Sequence, residues 1–205
     1  MNKQAKAHLE VLHQDAQKDF SRMTRGIVKS VFTSPQPSDL RNAYLAISKE
    51  QGEKLYNLII EKNCRHIVEF GTSFGISTIY FAEAARVTGG KVITTELIES
   101  KANTAAINFE KAGVSELIEI RVGDAISSLK NYDKKIDFLF LDGWKDLYLP
   151  LLKQLEPNFK SGTLIYADNM NFRSTKPYAD HILQRQDKYT TLIVDDGKGF
   201  LSLLA

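Results

Sequence analysis

The chain alternates short apolar runs with segments of helical period. Seven apolar runs read as strands: residues 66–70, 91–96, 117–122, 136–141, 163–167, 189–194 and 200–204. Between the first three runs, the stretches 76–87 and 99–112 have the apolar spacing and the length of crossover helices. The pattern therefore predicts an α/β fold, Rossmann-like, with a mainly parallel sheet covered by helices on both faces.

The last two apolar runs are connected differently from the others. Only "DDGKG", residues 195–199, separates them. Because a parallel crossover needs a dozen or more residues, this short link predicts a hairpin. The sheet is therefore expected to be seven-stranded, with the last strand antiparallel.

The residues before the first strand have helical patterns. One apolar stripe runs through 9–27 at three- and four-residue spacing, formed by Leu9, Leu12, Ala16, Phe20, Met23 and Ile27. "TSPQPSD" then breaks the helix, and Ser48 with Gln51 has the spacing of a capping box that starts the next one. We interpret residues 1–205 as one domain, with 48–205 as its core and 1–47 as a lid, a packing layer or the face of a possible homodimer.

Composition narrows the class of protein. The 205 residues are 43% hydrophobic and 25% charged, and the net charge of +2 favours neither nucleic acid nor a membrane surface as partner. The single cysteine, Cys64, excludes an intramolecular disulfide. No run has the length of a membrane span, and the first 20 residues lack the apolar centre of a leader peptide. A cytoplasmic protein is expected.

The first strand runs into a loop with two glycines, "VEFGTSFGIST" at 68–78. Gly71 and Gly75 let the backbone turn sharply and approach a ligand. Their spacing is neither that of a dinucleotide site nor that of a phosphate-binding P-loop. Glu69, two residues before Gly71, suits an amine-bearing ligand better than a phosphate. The alternative is a turn that only the topology requires.

The next two strand ends carry residues suited to a nucleoside. Glu96 follows Gly71 by 25 residues, the distance at which an acid commonly accepts hydrogen bonds from ribose hydroxyls. Gly123, Asp124 and Ala125 end the third strand and would lie beside an adenine. The alternatives are a carboxylate favoured by a helix dipole at Glu96 and a helix cap at Asp124. Together the three strand ends indicate a nucleoside site without a phosphate cradle.

Oxygen-bearing side chains end the fourth and fifth strands. Asp142 follows "IDFLFL", and Asp168 with Asn169 follows "TLIYA". If these strands are neighbours, their ends lie about 5 Å apart, so the three side chains can converge. Carboxylate and amide oxygens suit Mg²⁺ or Ca²⁺. Taken singly, Asp142 could instead cap a helix, and Asp168 and Asn169 could form an Asx-turn.

From residue 48 to the C-terminus, the glycine loop, the ribose acid and the hairpin ending resemble class I S-adenosylmethionine-dependent methyltransferases. The resemblance implies that S-adenosylmethionine is the cofactor. It implies a cofactor site formed by Glu69, Gly71, Ser73, Gly75, Ser77, Glu96, Leu97, Gly123, Asp124, Ala125, Asp142 and Trp144.

"LDGWKDLYLP" at 141–150, with "ADN" beginning 25 residues after Asp142, is similar to the metal-dependent O-methyltransferase branch, which includes catechol and caffeoyl-CoA O-methyltransferases. This resemblance implies that Asp142, Asp168 and Asn169 hold Mg²⁺, or Ca²⁺ or Mn²⁺ in its place. It makes Lys145 the general base, with Asp142 as its catalytic neighbour, and places Trp144 beside the adenine. The expected reaction is methylation of a hydroxyl on a small vicinal-dihydroxy, catechol-like phenol.

One position departs from the catechol enzymes. Where they carry a glutamate that grips the second hydroxyl of the acceptor, this chain has Gly199. Asp195 or Asp196 would have to substitute, which puts catechol itself in doubt as the natural acceptor.

Other functions compete with this prediction. A tRNA hydroxyuridine O-methyltransferase would keep the chemistry and change the acceptor, although the chain shows no basic stripe. A non-catalytic nucleotide-binding Rossmann-like protein would keep only the fold, and the presence of Lys145 with all three oxygen ligands disfavours it. An NAD-dependent oxidoreductase would need a different glycine spacing.

Overall fold

The computed structural model describes residues 1–18 and 42–205, and its centre is a seven-stranded sheet. The strands are β1 His66–Phe70, β2 Lys91–Glu96, β3 Ile118–Val122, β4 Ile136–Leu141, β5 Phe159–Ala167, β6 Tyr189–Val194 and β7 Gly199–Leu204. Their order is β3-β2-β1-β4-β5-β7-β6, and every pair is parallel except the two that β7 makes. The predicted fold class and antiparallel ending are confirmed.

Helices cover both faces of the sheet. They are α1 Lys3–Ala16, α2 Lys49–Glu61, α3 Ile76–Thr88, α4 Glu99–Ala112, α5 Ala125–Ser128, α6 Tyr148–Leu155 and α7 Lys176–Leu183. One buried cluster joins the sheet to the first four helices, and a second joins its other face to the last three. Within the described ranges, no helix is both long and apolar enough to cross a membrane.

Strand β4 shows why its apolar run is continuous. Phe138 and Phe140 point into the first cluster, whereas Leu139 and Leu141 point into the second. Because successive side chains of a strand point to opposite faces, a central strand covered on both sides is apolar at successive positions, here from Phe138 to Leu141, while Asp137 near the start of β4 pairs with Lys160. Burying each such apolar side chain contributes about 1.5–3 kcal/mol to stability. This burial fixes β4 in the sheet and thereby the position of the residues directly after it.

Two element boundaries differ from the predictions by more than one residue. Strand β5 begins at Phe159 rather than at residue 163, because a register shift against β4 lets Phe159 pair with Ile136. Helix α1 begins at Lys3, capped by Asn2, and ends at Ala16 instead of continuing to residue 27. The predicted apolar positions at 20, 23 and 27, and the break at 33–39, lie outside the described residues.

The described part of the N-terminal segment is a packing layer. Ala5, Leu9 and Leu12 of α1 are buried in the first cluster, which also contains residues of α3 and α4. The backbone N–H of Gln51 donates to the Ser48 hydroxyl at 3.1 Å, so half of the predicted capping box forms. The reciprocal half is absent from the bonds described, since the Gln51 amide donates to the Tyr166 hydroxyl instead.

Candidate active site

Strands β1, β4 and β5 end level with one another and place two acidic residues side by side. The backbone N–H of Asp142 donates to the Phe70 carbonyl at 2.9 Å, and that of Asp168 donates to the Leu141 carbonyl at 2.9 Å. The parallel ladder thus continues one residue beyond each strand. The two aspartates therefore lie at the same carboxyl edge of the sheet, where open α/β folds bind ligands.

A chain of polar contacts connects these strand ends. Lys145 Nζ lies 2.9 Å from Asp142 Oδ1 and 2.9 Å from the Tyr148 hydroxyl. The Tyr148 hydroxyl in turn donates to the Asp168 carbonyl at 3.0 Å. The Tyr148 ring is buried in the second cluster, and its hydroxyl holds the lysine between the two strand ends.

Burial dominates the electrostatics of the two aspartates. It raises the pKa of Asp142 to about 6, with the charge of Asp168 adding to the rise and Lys145 opposing it. Burial also raises the pKa of Asp168. Two carboxylates buried beside a single ammonium group are short of positive charge, so this edge favours an additional cation.

The structure excludes the capping alternative for Asp142. The short 3₁₀ turn 145–147 has Trp144 at its N-cap and α6 has Leu147, and neither helix has a side-chain cap bond. The Asp142 carboxylate pairs with Lys145 instead. Asn169 has a left-handed backbone, with φ of 56°, which suits asparagine and turns the chain sharply after Asp168.

The donor set fits a hard divalent cation. Asp142, Asp168 and Asn169 offer two carboxylates and an amide oxygen, and the carboxylates lack enough nearby positive charge. No group of three or more His, Cys, Asp or Glu residues suited to a metal occurs in the described parts of the chain. With three oxygen donors, the set suits an ion that keeps several positions for water or substrate, as Mg²⁺ does.

The glycine loop contacts the end of β4. Gly71 has φ of 105°, and a Cβ atom there would lie 2.7 Å from the Asp142 carbonyl oxygen. Only glycine therefore fits between β1 and the residue that ends β4. Gly75, with φ of 89°, is the N-cap of α3. The loop and the aspartate edge form one continuous site.

Glu69 lies beneath this loop. Its carboxylate is 0% exposed and accepts hydrogen bonds from Ser77 and Thr78 at 2.5 Å each and from Thr94 at 2.6 Å. The hydroxyls hold β1, β2 and the start of α3 together. Contact of Glu69 and Ser77 with the methionine part of a cofactor stays a prediction.

A change of Glu69 to glutamine is expected to alter the pH dependence of stability. Burial raises the pKa of Glu69 to about 7 from an ordinary 4.5, so the folded protein binds more protons than the unfolded chain between these values. Its stability contribution is therefore present below about pH 4.5 and is lost as pH rises through 7. Relative to the parent, Glu69→Gln should gain roughly 3 kcal/mol across that window.

Urea unfolding of both proteins from pH 4.5 to pH 8 measures this gain. Thr163→Ser, a change at a buried hydroxyl in the middle of β5, is the matched control and should leave the pH slope unchanged. Parallel pH profiles for Glu69→Gln and the parent would show that Glu69 is ionised in the folded protein with an ordinary pKa.

The predicted nucleoside residues lie around the ends of β2 and β3. Backbone N–H groups of Ser73 and Ile98 donate to the Glu96 carboxylate at 2.8 and 2.9 Å. These bonds orient Glu96 and leave oxygen lone pairs free for further donors. Leu97 is 56% exposed and Trp144 is 38% exposed, so both offer apolar surface to a flat ligand.

Asp124, at the end of the third strand, is the N-cap of α5. The Asp124 carboxylate accepts from the Ser127 backbone N–H at 2.8 Å, which fixes the start of α5 and lowers the pKa of Asp124. Gly123 has φ of 116° and open space around its missing Cβ, and Ala125 is buried. The cap alternative is therefore correct for Asp124, and the adenine contacts of all three residues stay predictions.

A buried lysine beside the loop was missed by the sequence analysis. Lys101 is 4% exposed, and its Nζ donates to the Ala43 carbonyl at 2.9 Å and to the Ser73 hydroxyl at 3.2 Å. The Ser73 hydroxyl donates to the Tyr44 carbonyl at 2.5 Å. Lys101 thus fastens the segment before α2 onto the glycine loop. Lys101 lies in α4, where polar and apolar residues are mixed, so the sequence pattern did not indicate this contact.

Gly199, the position that departs from the catechol enzymes, faces a tyrosine. A Cβ atom there would lie 2.5 Å from the Tyr166 hydroxyl oxygen and 2.8 Å from Val194 Cγ2. The Tyr166 hydroxyl donates in turn to the Asp195 carboxylate. The space next to Gly199 is therefore filled by Tyr166, and Asp195 is turned toward the site while Asp196 is exposed.

Adding a methyl group at this glycine is expected to destabilise the protein. Gly199→Ala should lower the free energy of unfolding by about 1–3 kcal/mol, the usual penalty for overpacking. Tyr166→Phe removes the nearest atom, so the double variant should lose less than the sum of the two single variants. Denaturant unfolding of the four proteins measures this coupling, and strictly additive losses would contradict the contact.

Comparisons with known proteins agree with this geometry. A family described as O-methyltransferase matches residues 10–190. The chain is 31% identical over 127 residues to a catechol O-methyltransferase of Mycobacterium tuberculosis, covering 62% of this chain and 57% of that protein. It is 30% identical over 131 residues to caffeoyl-CoA O-methyltransferase 2 of Petunia hybrida, covering 61% and 54% respectively. The matched segments thus span little more than half of these relatives.

A solved structure shows the same fold. The O-methyltransferase from Bacillus cereus, crystallised in complex with SAH, superposes with a TM-score of 0.69 at 24% identity. The match covers 90% of this chain and 91% of that one, so the sheet and its helices are shared throughout. Because the family match extends over most of the sequence, this chain belongs to the O-methyltransferase family.

Proposed function

We propose that this protein transfers a methyl group from S-adenosylmethionine to a hydroxyl of a small vicinal-dihydroxy aromatic, with Mg²⁺ as metal. The observation that carries the proposal is the pairing of Lys145 with Asp142 at 2.9 Å, at a strand end that contacts the glycine loop. A proton acceptor and the loop expected to hold the methyl donor are thus contiguous. O-methylation needs this arrangement because a neutral hydroxyl is a poor nucleophile.

The nucleoside end of the cleft supports S-adenosylmethionine as cofactor, which supplies a methyl group on a sulfonium. Glu96 is held by two backbone N–H groups and keeps lone pairs for ribose hydroxyls. Leu97 and Trp144 offer exposed apolar surface for the adenine. The loop sequence 68–78 contains neither a lysine or arginine nor a P-loop glycine pattern, in keeping with a ligand that lacks phosphates.

The aspartate edge supports a metal site. Asp142, Asp168 and Asn169 would hold Mg²⁺, which, when bound, would orient two neighbouring hydroxyls and make their protons easier to remove. Asp142 would also hold Lys145 in place through their ion pair. The carboxylate and the amine of Lys145 would therefore act together, the carboxylate on the metal and the amine on the proton.

Lys145 is the proposed general base. Its amine is fixed between the Asp142 carboxylate and the Tyr148 hydroxyl, so the lone pair exposed on deprotonation has a defined direction. As a neutral amine, Lys145 would take the proton of the acceptor hydroxyl. Tyr148 contributes by positioning, because its buried hydroxyl also binds the Asp168 carbonyl.

The names of the relatives favour this acceptor class. Catechol and caffeoyl-CoA O-methyltransferases are named for acceptors built on an ortho-dihydroxy ring. Gly199, in the place of their glutamate, favours an acceptor whose second oxygen is held differently from that of catechol.

Methyl transfer from labelled S-adenosylmethionine tests the proposal. A panel of catechols and caffeoyl compounds would be incubated with Mg²⁺, with EDTA, and with the Lys145→Met variant. Transfer that requires both the metal and the lysine is the expected result. No transfer to any member, while calorimetry shows that the cofactor binds, would overturn the acceptor class, and an RNA acceptor would be assayed next.

A further inference from the structure

Ser73, in the glycine loop, has a backbone conformation that its neighbours must hold. Its φ is 49°, in the left-handed region that residues other than glycine rarely adopt. A strained residue of this kind persists only where the surrounding contacts fix it. Its backbone N–H donates to the Glu96 carboxylate at 2.8 Å, so the shape of the loop at Ser73 contributes to the orientation of that carboxylate.

The side chain of Ser73 is held by the buried lysine of α4. Serine has one hydroxyl hydrogen, which Ser73 donates to the Tyr44 carbonyl at 2.5 Å. Its oxygen therefore accepts from Lys101 Nζ, which lies 3.2 Å away. Lys101 Nζ also donates to the Ala43 carbonyl at 2.9 Å, as a lysine that is only 4% exposed requires oxygen acceptors. The lysine thus joins Ser73 to two successive residues of the segment before α2.

The same helix holds the next residue of the loop. Asn108, about two turns after Lys101 on α4, is 5% exposed and donates to the Phe74 carbonyl at 2.9 Å. Its Oδ1 lies 3.2 Å from His8 Nε2 of α1. The Phe74 ring lies 4.5 Å from the Tyr44 ring and 5.3 Å from Lys101 Nζ, measured to its centroid. Helix α4 therefore holds two successive residues of the loop, and N-terminal residues support both contacts.

We propose that Lys101 is a positioning residue for the binding of S-adenosylmethionine, acting through Ser73 on Glu96. The lysine keeps Ser73 in its left-handed conformation, and the Ser73 N–H then keeps the Glu96 carboxylate in the orientation proposed for the ribose hydroxyls. This inference rests on the proposed function, to which the ribose contact of Glu96 belongs. It concerns a residue outside the predicted cofactor contacts and assigns a function to the N-terminal segment that Lys101 joins to the loop.

Replacing Lys101 with methionine is expected to weaken the binding of S-adenosylhomocysteine by at least about 10-fold, the factor that one hydrogen bond to a charged group contributes. Methionine has a similar length and fills the buried space, but it cannot donate to Ser73. A smaller fraction of the molecules then holds the loop in the binding conformation, which lowers the apparent affinity. The KM for S-adenosylmethionine should rise by the same factor, whereas kcat at saturating cofactor should hardly change, because Lys145 and the aspartate edge are untouched.

The experiment is calorimetric titration of S-adenosylhomocysteine into the parent protein, Lys101→Met, Ser73→Ala and the double variant. Ser73→Ala removes the hydroxyl that Lys101 binds and keeps the N–H that Glu96 binds, so it tests the same contact in a protein that retains the buried lysine. It should weaken binding in the same direction. Because the lysine acts through that hydroxyl, the double variant should lose less binding free energy than the sum of the two single losses. Lys111→Met, at an exposed position of α4, is the matched control and should bind as the parent does.

The possible results separate this inference from the proposed function. Equal affinity for S-adenosylhomocysteine in the parent and both single variants would overturn the role of Lys101 and leave the proposed function intact. Strictly additive losses would show that Lys101 does not act through Ser73. A fall in kcat with an unchanged KM for S-adenosylmethionine would contradict a role in cofactor binding. A parent protein that does not bind S-adenosylhomocysteine would overturn the proposed cofactor, and with it the positioning role.

Discussion

Replacing Lys145 with methionine is expected to lower kcat by about 10²–10⁴-fold, the range that a general base contributes. Lys145 is largely buried and held between the Asp142 carboxylate and the Tyr148 hydroxyl, so no other described amine lies at this position. Methionine has a similar length but cannot accept a proton. Single-turnover methyl transfer at saturating cofactor measures the loss, and the KM for S-adenosylmethionine should hardly change.

Two further variants distinguish a role of Lys145 in proton transfer from a role of its positive charge alone. Lys145→Arg keeps a positive charge beside Asp142, but a guanidinium stays protonated in proteins and should be nearly as inactive as methionine. Lys153→Met, at an exposed position of α6, should keep full activity. Full activity in Lys145→Arg would show that the lysine supplies only charge and that the base lies elsewhere.

Asp168→Asn is expected to have opposite effects on activity and stability. Removing one carboxylate from the proposed metal site should lower methyl transfer by at least about 10²-fold, beyond the usual effect of changing a residue that only supports a ligand. The protein without metal should become more stable, because burial raises the pKa of Asp168 and its charge also disfavours ionisation of Asp142. Activity assays over a Mg²⁺ series and thermal unfolding in EDTA measure the two effects.

Asp180→Asn provides the comparison for this variant. Asp180, an aspartate of α7 whose side chain is 48% exposed, pairs with Lys176 at 2.6 Å, so its replacement should change neither measurement. A loss of stability in Asp168→Asn without metal would mean that the two buried carboxylates do not repel each other. Unchanged activity would remove Asp168 from the metal site.

The order of strands and helices could be predicted from sequence because it depends on local periodicity. The apolar run of β4 from Phe138 to Leu141 indicated a central strand, since a strand buried on both faces needs apolar side chains at successive positions. The short link at 195–199 allowed only a hairpin. The proximity of Asp142 and Asp168 could also be predicted, because neighbouring parallel strands end at the same edge of a sheet.

The remaining features depend on contacts between residues distant in sequence, which only the tertiary structure decided. Glu69 has the position of a ligand contact, yet three hydroxyls from α3 and β2 enclose its carboxylate. Gln51 has the spacing of a capping residue, yet its side chain binds Tyr166, 115 positions away. Glycine is required at position 199 because Tyr166 packs against it. Periodicity assigns a side chain to a face, but its hydrogen-bond partners are set by how the faces pack together.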